Sequence, residues 1–335
     1  MRQMPEMEYC GRRAHRIEND ILQVTVSVEG GHIAEILHKP TGVNPLWTPP
    51  WPSIEPSQYN PEIHGALYGA DAESKLLAGI LGHNLCLDLF GPPSPEEAAA
   101  GITVHGEASV VPYETETGDG SLVQRCVMPI AQLAFERRLQ LKAGDPYVYF
   151  SETVENLSAL DRPIAWTQHV TLGPPFLEKG RTQFRVGGTK SRTLEGQDFD
   201  WPYLPHADGP KEDLQVFTNA ASSGKCTSTL MDPHREQAYF LAWSPTTKLL
   251  LGYQWRRTDF PWISIWEENY SRQNPPWNGR TLTRGMEFGA SPVPESRRRM
   301  IERNTLFGAP GYRWVPAKSK VMADYKAFLR IADGI

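Results

Sequence analysis

Cysteine is scarce in this chain of 335 residues, which contains only four cysteines and no Cys-x-x-Cys pair. The four are far apart in the sequence, which argues against a structural zinc site and against a dense disulfide framework. A folded chain of roughly 300 residues buries about 75% of its unfolded surface, so a core of this size needs neither stabiliser. We therefore expect reduced thiols, no bound metal and a reducing compartment, the cytoplasm.

Long apolar runs are also missing. No stretch of about 18 apolar residues occurs, so the sequence predicts no membrane-spanning helix. Residues 1–16 mix arginines with glutamates and contain no apolar run, which is unlike a signal peptide. A membrane is therefore not an expected partner.

Basic charge is not in excess. Lys and Arg number 34 against 39 Asp and Glu, which gives a net charge of −5. The only dense basic run is Arg297, Arg298 and Arg299. This run is far shorter than the basic surface of a nucleic-acid-binding protein, so nucleic acid is not an expected partner.

Several familiar catalytic motifs are absent. The chain has no Walker phosphate loop, no Gly-x-Gly-x-x-Gly after a strand, no His-Glu-x-x-His and no Gly-x-Ser-x-Gly. We expect no nucleotide cofactor. The sequence also lacks internal repeats and any break in composition, which predicts a single domain over residues 1–335.

Alternating apolar residues predict strands along most of the chain. Leu22, Val24 and Val26 alternate with polar residues, and Gly30-Gly31 permits the tight turn of an N-terminal hairpin. The final segment alternates as well, so we prefer a strand to a helix there. The predicted strands cover residues 22–28, 33–37, 135–141, 147–154, 164–172, 238–243, 249–255, 262–266 and 325–331. Two long loops cover residues 44–62 and 91–101, and the second includes a helical turn at 96–100.

Aromatic residues are plentiful, with 10 Trp and 12 Tyr. The flat face of an aromatic ring suits the C–H face of a pyranose, so this composition favours a sugar site. Trp266 and the pair Trp47 and Trp51 are candidates for stacking on a sugar. For any one tryptophan, packing in the core is the commoner role.

Histidines and carboxylates stand beside glycines and aromatic residues at several points. His169 ends an apolar strand just before a Gly-Pro-Pro turn, so we expect its ring at a strand end, where pockets open. A hydrogen-bonded core histidine is the alternative. His83 and His105 lie in predicted loops, where an ordinary hydrogen-bonded role is the more frequent one.

Glu287 lies between Met286 and Phe288, and a carboxylate in such apolar surroundings is a candidate for proton transfer. The alternative is a buried salt bridge with an arginine such as Arg284. The residues alone leave both roles open.

The order of these motifs resembles that of the aldose 1-epimerase (galactose mutarotase-like) superfamily over most of the chain. The resemblance rests on a hairpin at residues 19–36, the segment 105–109 (His-Gly-Glu-Ala-Ser), the turn at 154–158 with the strand at 164–169, and the segments 260–266 and 284–289. It implies an all-β fold, a large antiparallel β-sandwich (supersandwich) with few short helices.

The resemblance also implies roles for individual residues. Glu287 would be the general base on the anomeric hydroxyl, His169 the acid at the ring oxygen, and His105 would orient the sugar. The candidate substrate-binding residues are His83, Asn84, Glu107, Trp266 and Glu267. The expected partner is a small-molecule sugar, the expected cofactor is none, and the expected state is a monomer or homodimer.

The chain departs from the family pattern at three positions. Ser109 stands in place of an arginine, Glu107 in place of an aromatic residue and Phe288 in place of a proline. Because Glu107 would add an acceptor for hydroxyl groups, we expect a substrate more polar than a plain hexose or differently substituted. The insertion at residues 267–283 is long, so Glu267 or Glu268 is an alternative catalytic carboxylate.

Three functions follow from this pattern. The first is an isomerase that interconverts the anomers of an aldose or a modified aldose. The second is a carbohydrate-binding or sensing protein that keeps the fold without catalysis. The third is a lyase or hydrolase, which would need either a Tyr/His site or a site with two carboxylates, for which Glu267, Glu268 and Glu287 are candidates.

Overall fold

The computed structural model describes residues 6–207 and 209–335. Nearly all of its regular structure is antiparallel sheet. In chain order the strands are β1 (Met7–Tyr9), β2 (Arg12–Glu18), β3 (Leu22–Ser27), β4 (Ile33–His38), β5 (His83–Asp88), β6 (Glu114–Gly118), β7 (Ser121–Met128), β8 (Leu133–Leu141), β9 (Tyr147–Asn156), β10 (Arg162–Leu172), β11 (Gln183–Val186), β12 (Gly188–Thr193), β13 (Asp198–Asp200), β14 (Tyr203–Leu204), β15 (Glu212–Asp213), β16 (Ser223–Met231), β17 (Gln237–Ser244), β18 (Leu249–Arg256), β19 (Trp262–Asn269), β20 (Leu282–Gly289), β21 (Thr305–Leu306), β22 (Ala309–Pro310), β23 (Arg313–Val315) and β24 (Lys320–Ile331).

Helices are few and short. They are α1 (Pro61–Tyr68), α2 (Ser74–Leu77), α3 (Pro95–Ala99) and α4 (Arg297–Arg303), with 3-10 turns at Pro56–Gln58 and Glu107–Ser109. The segment predicted as a helical turn at residues 96–100 forms α3, which begins with a capping box between Ser94 and Glu97. No helix in the described ranges is long and apolar enough to cross a membrane.

Two large sheets pack face to face. The first sheet has 12 strands in the order β1-β2-β3-β4-β5-β10-β20-β19-β16-β12-β13, with β23 paired to β10. The second sheet has eight strands in the order β11-β17-β18-β24-β9-β8-β7-β6. The predicted all-β sandwich is confirmed, and the closing segment is the strand β24.

The main core lies between the two sheets. Strand β9 alternates buried and half-buried residues, as expected for a strand with one face on a core. Phe288 of the first sheet stacks on Trp255 of the second, with ring centroids 4.2 Å apart. Burying an aromatic side chain of this size stabilises a fold by about 1.5–3 kcal/mol. The phenylalanine that departs from the family pattern is thus part of the core.

The centre of the first sheet is buried on both faces. Strand β5 has no exposed residue, and β10 is buried from Ile164 to Leu172. Loops between the strands cover the outer face, which points away from the second sheet, and a smaller cluster of buried apolar residues lies there. Such double burial removes the period-two signal, so β5 was not predicted from the sequence.

Two features noted in the sequence can be located in the structure. Arg297 of the basic run contacts Asp88. The four cysteines are free thiols. Residues 1–5 of the N-terminal segment that was compared with a signal peptide lie outside the described ranges.

Candidate functional site

The site begins with three neighbouring strands in the first sheet. β5, β10 and β20 lie side by side, and their registers place Asn84 opposite His169 and His169 opposite Glu287. Residues directly opposite in an antiparallel pair project from the same face and approach within about 4.5–5.5 Å at Cβ. One row of side chains therefore crosses the outer face of the sheet.

His169 and Glu287 form the centre of this row. Nε2 of His169 lies 2.9 Å from Oε1 of Glu287, and Nδ1 lies 3.0 Å from the hydroxyl of Thr171. The contact with Glu287 is close, but its angles are not those of a hydrogen bond, so Oε1 has no hydrogen-bond donor among the described residues. A buried carboxylate oxygen without a donor is free to accept a proton from a bound molecule.

His105 reaches the row from a neighbouring loop. Its ring centroid lies 4.7 Å from that of His169, and its Nδ1 lies 3.1 Å from the amide nitrogen of Asn84. Burial lowers the pKa of His105 well below 6.5, and the charge of Arg272 acts in the same direction. The ring is therefore neutral, and because Nδ1 accepts from the amide, the proton is on Nε2.

Asn84 and Ser109 hold His105 in this orientation. The Ser109 hydroxyl donates to the carbonyl of Leu85 at 2.6 Å, so it accepts from the Asn84 amide at 3.3 Å. The second amide N–H of Asn84 is then directed at His105. Asn84 thus positions a histidine, and Ser109 has a backbone partner.

Glu107 lies outside the site, which corrects its predicted role in substrate binding. Its two carboxylate oxygens accept backbone N–H groups of Ile130 and Ala131, at 3.3 and 2.7 Å. The side chain satisfies a turn and does not line the cavity. The expectation of an unusually polar substrate therefore loses its basis.

A cavity of about 510 Å³ opens over the row. This volume lies within the range of about 300–1,000 Å³ that is typical of small-molecule sites. His105, His169, Glu287 and Trp266 line it, and the Trp266 ring lies 5.9 Å from that of His169. The three predicted catalytic side chains thus share one cavity, and a tryptophan face stands beside them.

The two alternative carboxylates are already engaged. Glu267 accepts from Arg284 at 2.8 Å and lies 3.1 Å from the ammonium group of Lys225. Glu268 accepts from the backbone and hydroxyl of Ser271, at 2.7 and 2.6 Å. Arg284 therefore pairs with Glu267 and not with Glu287, which leaves Glu287 as the carboxylate beside a histidine.

His83 is adjacent to Asn84 in β5, so its side chain projects from the opposite face. Its ring is fully buried between the two sheets, 3.0 Å from the amide oxygen of Gln168 and 3.3 Å from the Tyr253 hydroxyl. The structure therefore does not bring His83 to the cavity, where it was predicted to bind substrate.

Trp47 and Trp51, which were candidates for stacking on a sugar, have the commoner role of packing in the core. Both are buried, and they pack on Trp277, whose ring is parallel to that of Trp47 within 7°. Trp277 itself lines the cavity. The two predicted tryptophans thus support a third one that the sequence did not single out.

Several cavity residues were not predicted, among them Glu73, Arg272 and Trp277. Arg272 and Trp277 lie in the insertion at 267–283, whose length was their only signal, and no pattern in the sequence singled out Glu73. Burial raises the pKa of Glu73, and the nearby guanidinium of Arg272 acts against this shift. Within the described residues, no group of three or more His, Cys, Asp or Glu side chains is arranged to hold a metal ion.

Solved structures with the same fold are known, although no family model and no curated protein sequence matches the chain. A protein from Klebsiella pneumoniae, provisionally named an aldose 1-epimerase, is 15% identical and superposes with a TM-score of 0.69 over 93% of this chain and 77% of its own. The Slr1438 protein of Synechocystis sp. PCC 6803 is 13% identical, with a TM-score of 0.64 over 98% of this chain and 100% of its own. A galactose mutarotase-like protein of Lactobacillus casei is 12% identical, with a TM-score of 0.61 over 95% of this chain and 100% of its own.

At these identities the likeness shows the fold alone. The predicted galactose mutarotase-like sandwich is confirmed at that level.

Proposed function

We propose that this protein interconverts the anomers of an aldose by general acid and base catalysis. The proposal rests on one observation: an imidazole and a carboxylate, His169 and Glu287, stand 2.9 Å apart inside a cavity large enough for a sugar. The fold of the solved relatives supports the same class of reaction.

The chemistry requires two groups side by side. In a cyclic aldose, the anomeric hydroxyl and the ring oxygen are bonded to the same carbon. Ring opening needs one group to remove the hydroxyl proton while another protonates the ring oxygen. His169 and Glu287 are close enough to reach both oxygens of one carbon.

Each group has a distinct duty in this proposal. Glu287, whose Oε1 has no hydrogen-bond donor in the described parts of the chain, removes the proton of the anomeric hydroxyl. His169 donates to the ring oxygen. His105, neutral with its proton on Nε2, donates a hydrogen bond that orients the sugar. When the open chain rotates and closes, the same two proton transfers run in reverse and give the other anomer.

Anomer-exchange NMR with a panel of aldoses tests the proposal. The wild-type protein is expected to accelerate exchange of at least one sugar, and Glu287→Gln is expected to lower that rate by roughly 10²- to 10⁴-fold, the usual contribution of a positioned acid or base. Glu302→Gln, on the exposed side of α4, is the matched control and should retain the full rate.

Two outcomes would contradict the proposal. If the protein binds sugars and accelerates exchange of none, it is a carbohydrate-binding protein without this activity. If mass spectrometry shows that a bound sugar is cleaved, the reaction is that of a lyase or hydrolase, because anomer exchange leaves the mass unchanged.

A further inference from the structure

A guanidinium group projects into the cavity from outside the sheet. Arg272 lies in the loop at residues 270–281 between β19 and β20, and it lines the cavity together with Trp266 and Trp277. Its guanidinium lies over the ring of Trp266, which is 5.9 Å from the ring of His169, so it stands near the reactive groups.

Two carboxylates from different parts of the chain fix this guanidinium. Nη1 of Arg272 donates to Glu73 at 3.2 Å, and Nε lies 3.7 Å from Glu268. Glu268 in turn accepts the backbone N–H of Arg272 at 2.9 Å. The side chain is thus held at both its base and its tip, and its position is set before any ligand arrives.

Two tryptophans complete the setting. The guanidinium carbon of Arg272 lies 4.7 Å from the ring centroid of Trp277 and 5.6 Å from that of Trp266. Stacking on an aromatic face orients the planar group and leaves its edge available for donating hydrogen bonds. Among the described residues, Nη2 has no hydrogen-bond partner, and about a third of the side chain, 36%, remains exposed.

The charges around the cavity indicate what this donor meets. Carboxylates outnumber the cations Lys225 and Arg272 in the cavity wall; they are Glu73, Glu195, Glu267, Glu268 and Glu287. Because like charges repel, a phosphorylated or carboxylated sugar is disfavoured in such a wall. A neutral hydroxyl can still accept from a guanidinium whose charge is already balanced.

We infer that Arg272 is a specificity-determining residue, which donates from Nη2 to a hydroxyl of an uncharged sugar and so fixes the sugar beside His169 and Glu287. This inference rests on the proposed function for the place of the sugar, and it adds the substrate class and the residue that selects it.

The test compares Arg272→Gln with Arg280→Gln, a change of the same residue type at an exposed position in the same loop. Sugar affinity is measured by calorimetry, and anomer exchange by NMR, on a parent aldose and on its monodeoxy derivatives. Losing a hydrogen bond to a charged donor weakens affinity by roughly 10- to 100-fold. We expect this loss, with kcat little changed, for Arg272→Gln and none for Arg280→Gln.

The deoxy sugars separate binding from a merely structural role. The derivative that lacks the hydroxyl contacted by Arg272 should bind the wild type and Arg272→Gln equally, whereas a disordered loop would weaken every sugar alike. Arg272→Lys should restore part of the affinity. The 6-phosphate of the same sugar should bind the wild type more weakly than the free sugar.

The outcomes distinguish the two proposals. If the wild type exchanges anomers and Arg272→Gln matches Arg280→Gln on every sugar, the role of Arg272 is refuted and the proposed function stands. If sugars bind through Arg272 but no exchange is accelerated, the proposed function fails alone. If no aldose binds at all, both fail.

Discussion

His32 is a buried histidine that must stay neutral to keep both of its hydrogen bonds. Nε2 donates to the carbonyl of Ser109 at 3.0 Å, and Nδ1 accepts from the backbone N–H of Leu81 at 3.2 Å. A proton on Nδ1 would face another donor. Burial, and next the charge of Arg12, lower the pKa of His32 from 6.5 to about 3.

This histidine makes stability depend on pH in a definite direction. Its pKa is lower in the folded state than in the unfolded chain, so below pH 6.5 the unfolded chain takes up a proton that the folded state refuses. The contribution of His32 to the free energy of unfolding is fully present above pH 6.5. It falls as the pH drops toward about 3, the pKa of His32 in the folded state. Urea unfolding should show a loss of about 2 kcal/mol between pH 6.5 and about pH 5 from His32 alone.

The matched variant is His32→Gln, which keeps one donor and one acceptor and cannot take up the proton. Its free energy of unfolding should decline less steeply with falling pH over the same range. The difference in slope from the wild type should be that caused by the uptake of one proton. His83 and His105, whose pKa values burial also lowers well below 6.5, keep their part of the decline. An unchanged slope in His32→Gln would refute the assignment to His32.

At the scale of elements, strand β20 makes room for its own carboxylate. Gly285 precedes Glu287 by two residues and therefore shares its face. A Cβ atom at Gly285 would lie 2.5 Å from Oε1 of Glu287, which is closer than two such atoms can approach. The glycine allows the carboxylate to lean along the strand toward His169.

Gly285→Ala should therefore displace Glu287. We expect anomer exchange to fall by roughly 10-fold or more, since an error of about 1 Å in the placement of a catalytic group can cost about 10²-fold. Gly334→Ala, where a Cβ atom would meet nothing within 4 Å, is the control. Activity equal to wild type in Gly285→Ala would show that the carboxylate does not need this placement.

The elements also show how far the sequence could predict the site. Alternation predicted β3 and β24, because each has one face of apolar residues on the main core. The polar turn at residues 156–162 predicted β10, which is buried on both faces. Alternation could not find β5, whose six residues are all buried on both faces. Without that strand His83 and Asn84 were both read as loop residues, so the opposite directions of their side chains were missed.

The order of the strands in the sheet is the second part of the site that the sequence alone could not predict. His169 and Glu287 are far apart in the chain, and nothing in their local patterns shows that β10 pairs with β20. The family resemblance predicted that the two residues meet in one site, and the structure shows the strand pairing that brings them together. Arg272 and Trp277 lie in a loop with neither periodicity nor motif, so only the structure could place them in the cavity.

At the scale of the whole molecule, one buried carboxylate ties the two sheets together. Glu152 of the second sheet accepts from Trp166 at 3.1 Å and from Gln168 at 2.6 Å, both in the first sheet. It also accepts from Arg137 at 2.7 Å and from the Tyr325 hydroxyl at 2.8 Å within its own sheet. The side chains of Glu152 and Arg137, which carry the charges of this network, are both fully buried.

Breaking this network should destabilise the whole fold. Removing one partner of a buried ion pair leaves an uncompensated charge and costs about 3–5 kcal/mol. We expect Glu152→Gln to lose stability on that order, measured by chemical denaturation. Glu155→Gln, in the same strand but paired with Lys320 at the surface, should lose less than about 1 kcal/mol. Equal losses in the two variants would argue against the network.

Adjacent residues of β10 belong to the buried network on one face of the sheet and to the cavity on the other. Gln168 faces inward and is bonded to Glu152, while His169 faces outward and touches Glu287. New reactive side chains could therefore be introduced on the outer face of the sheet without changing the residues of the inner face that hold the two sheets together. The two faces of this strand can therefore be changed almost independently, although only one backbone separates them.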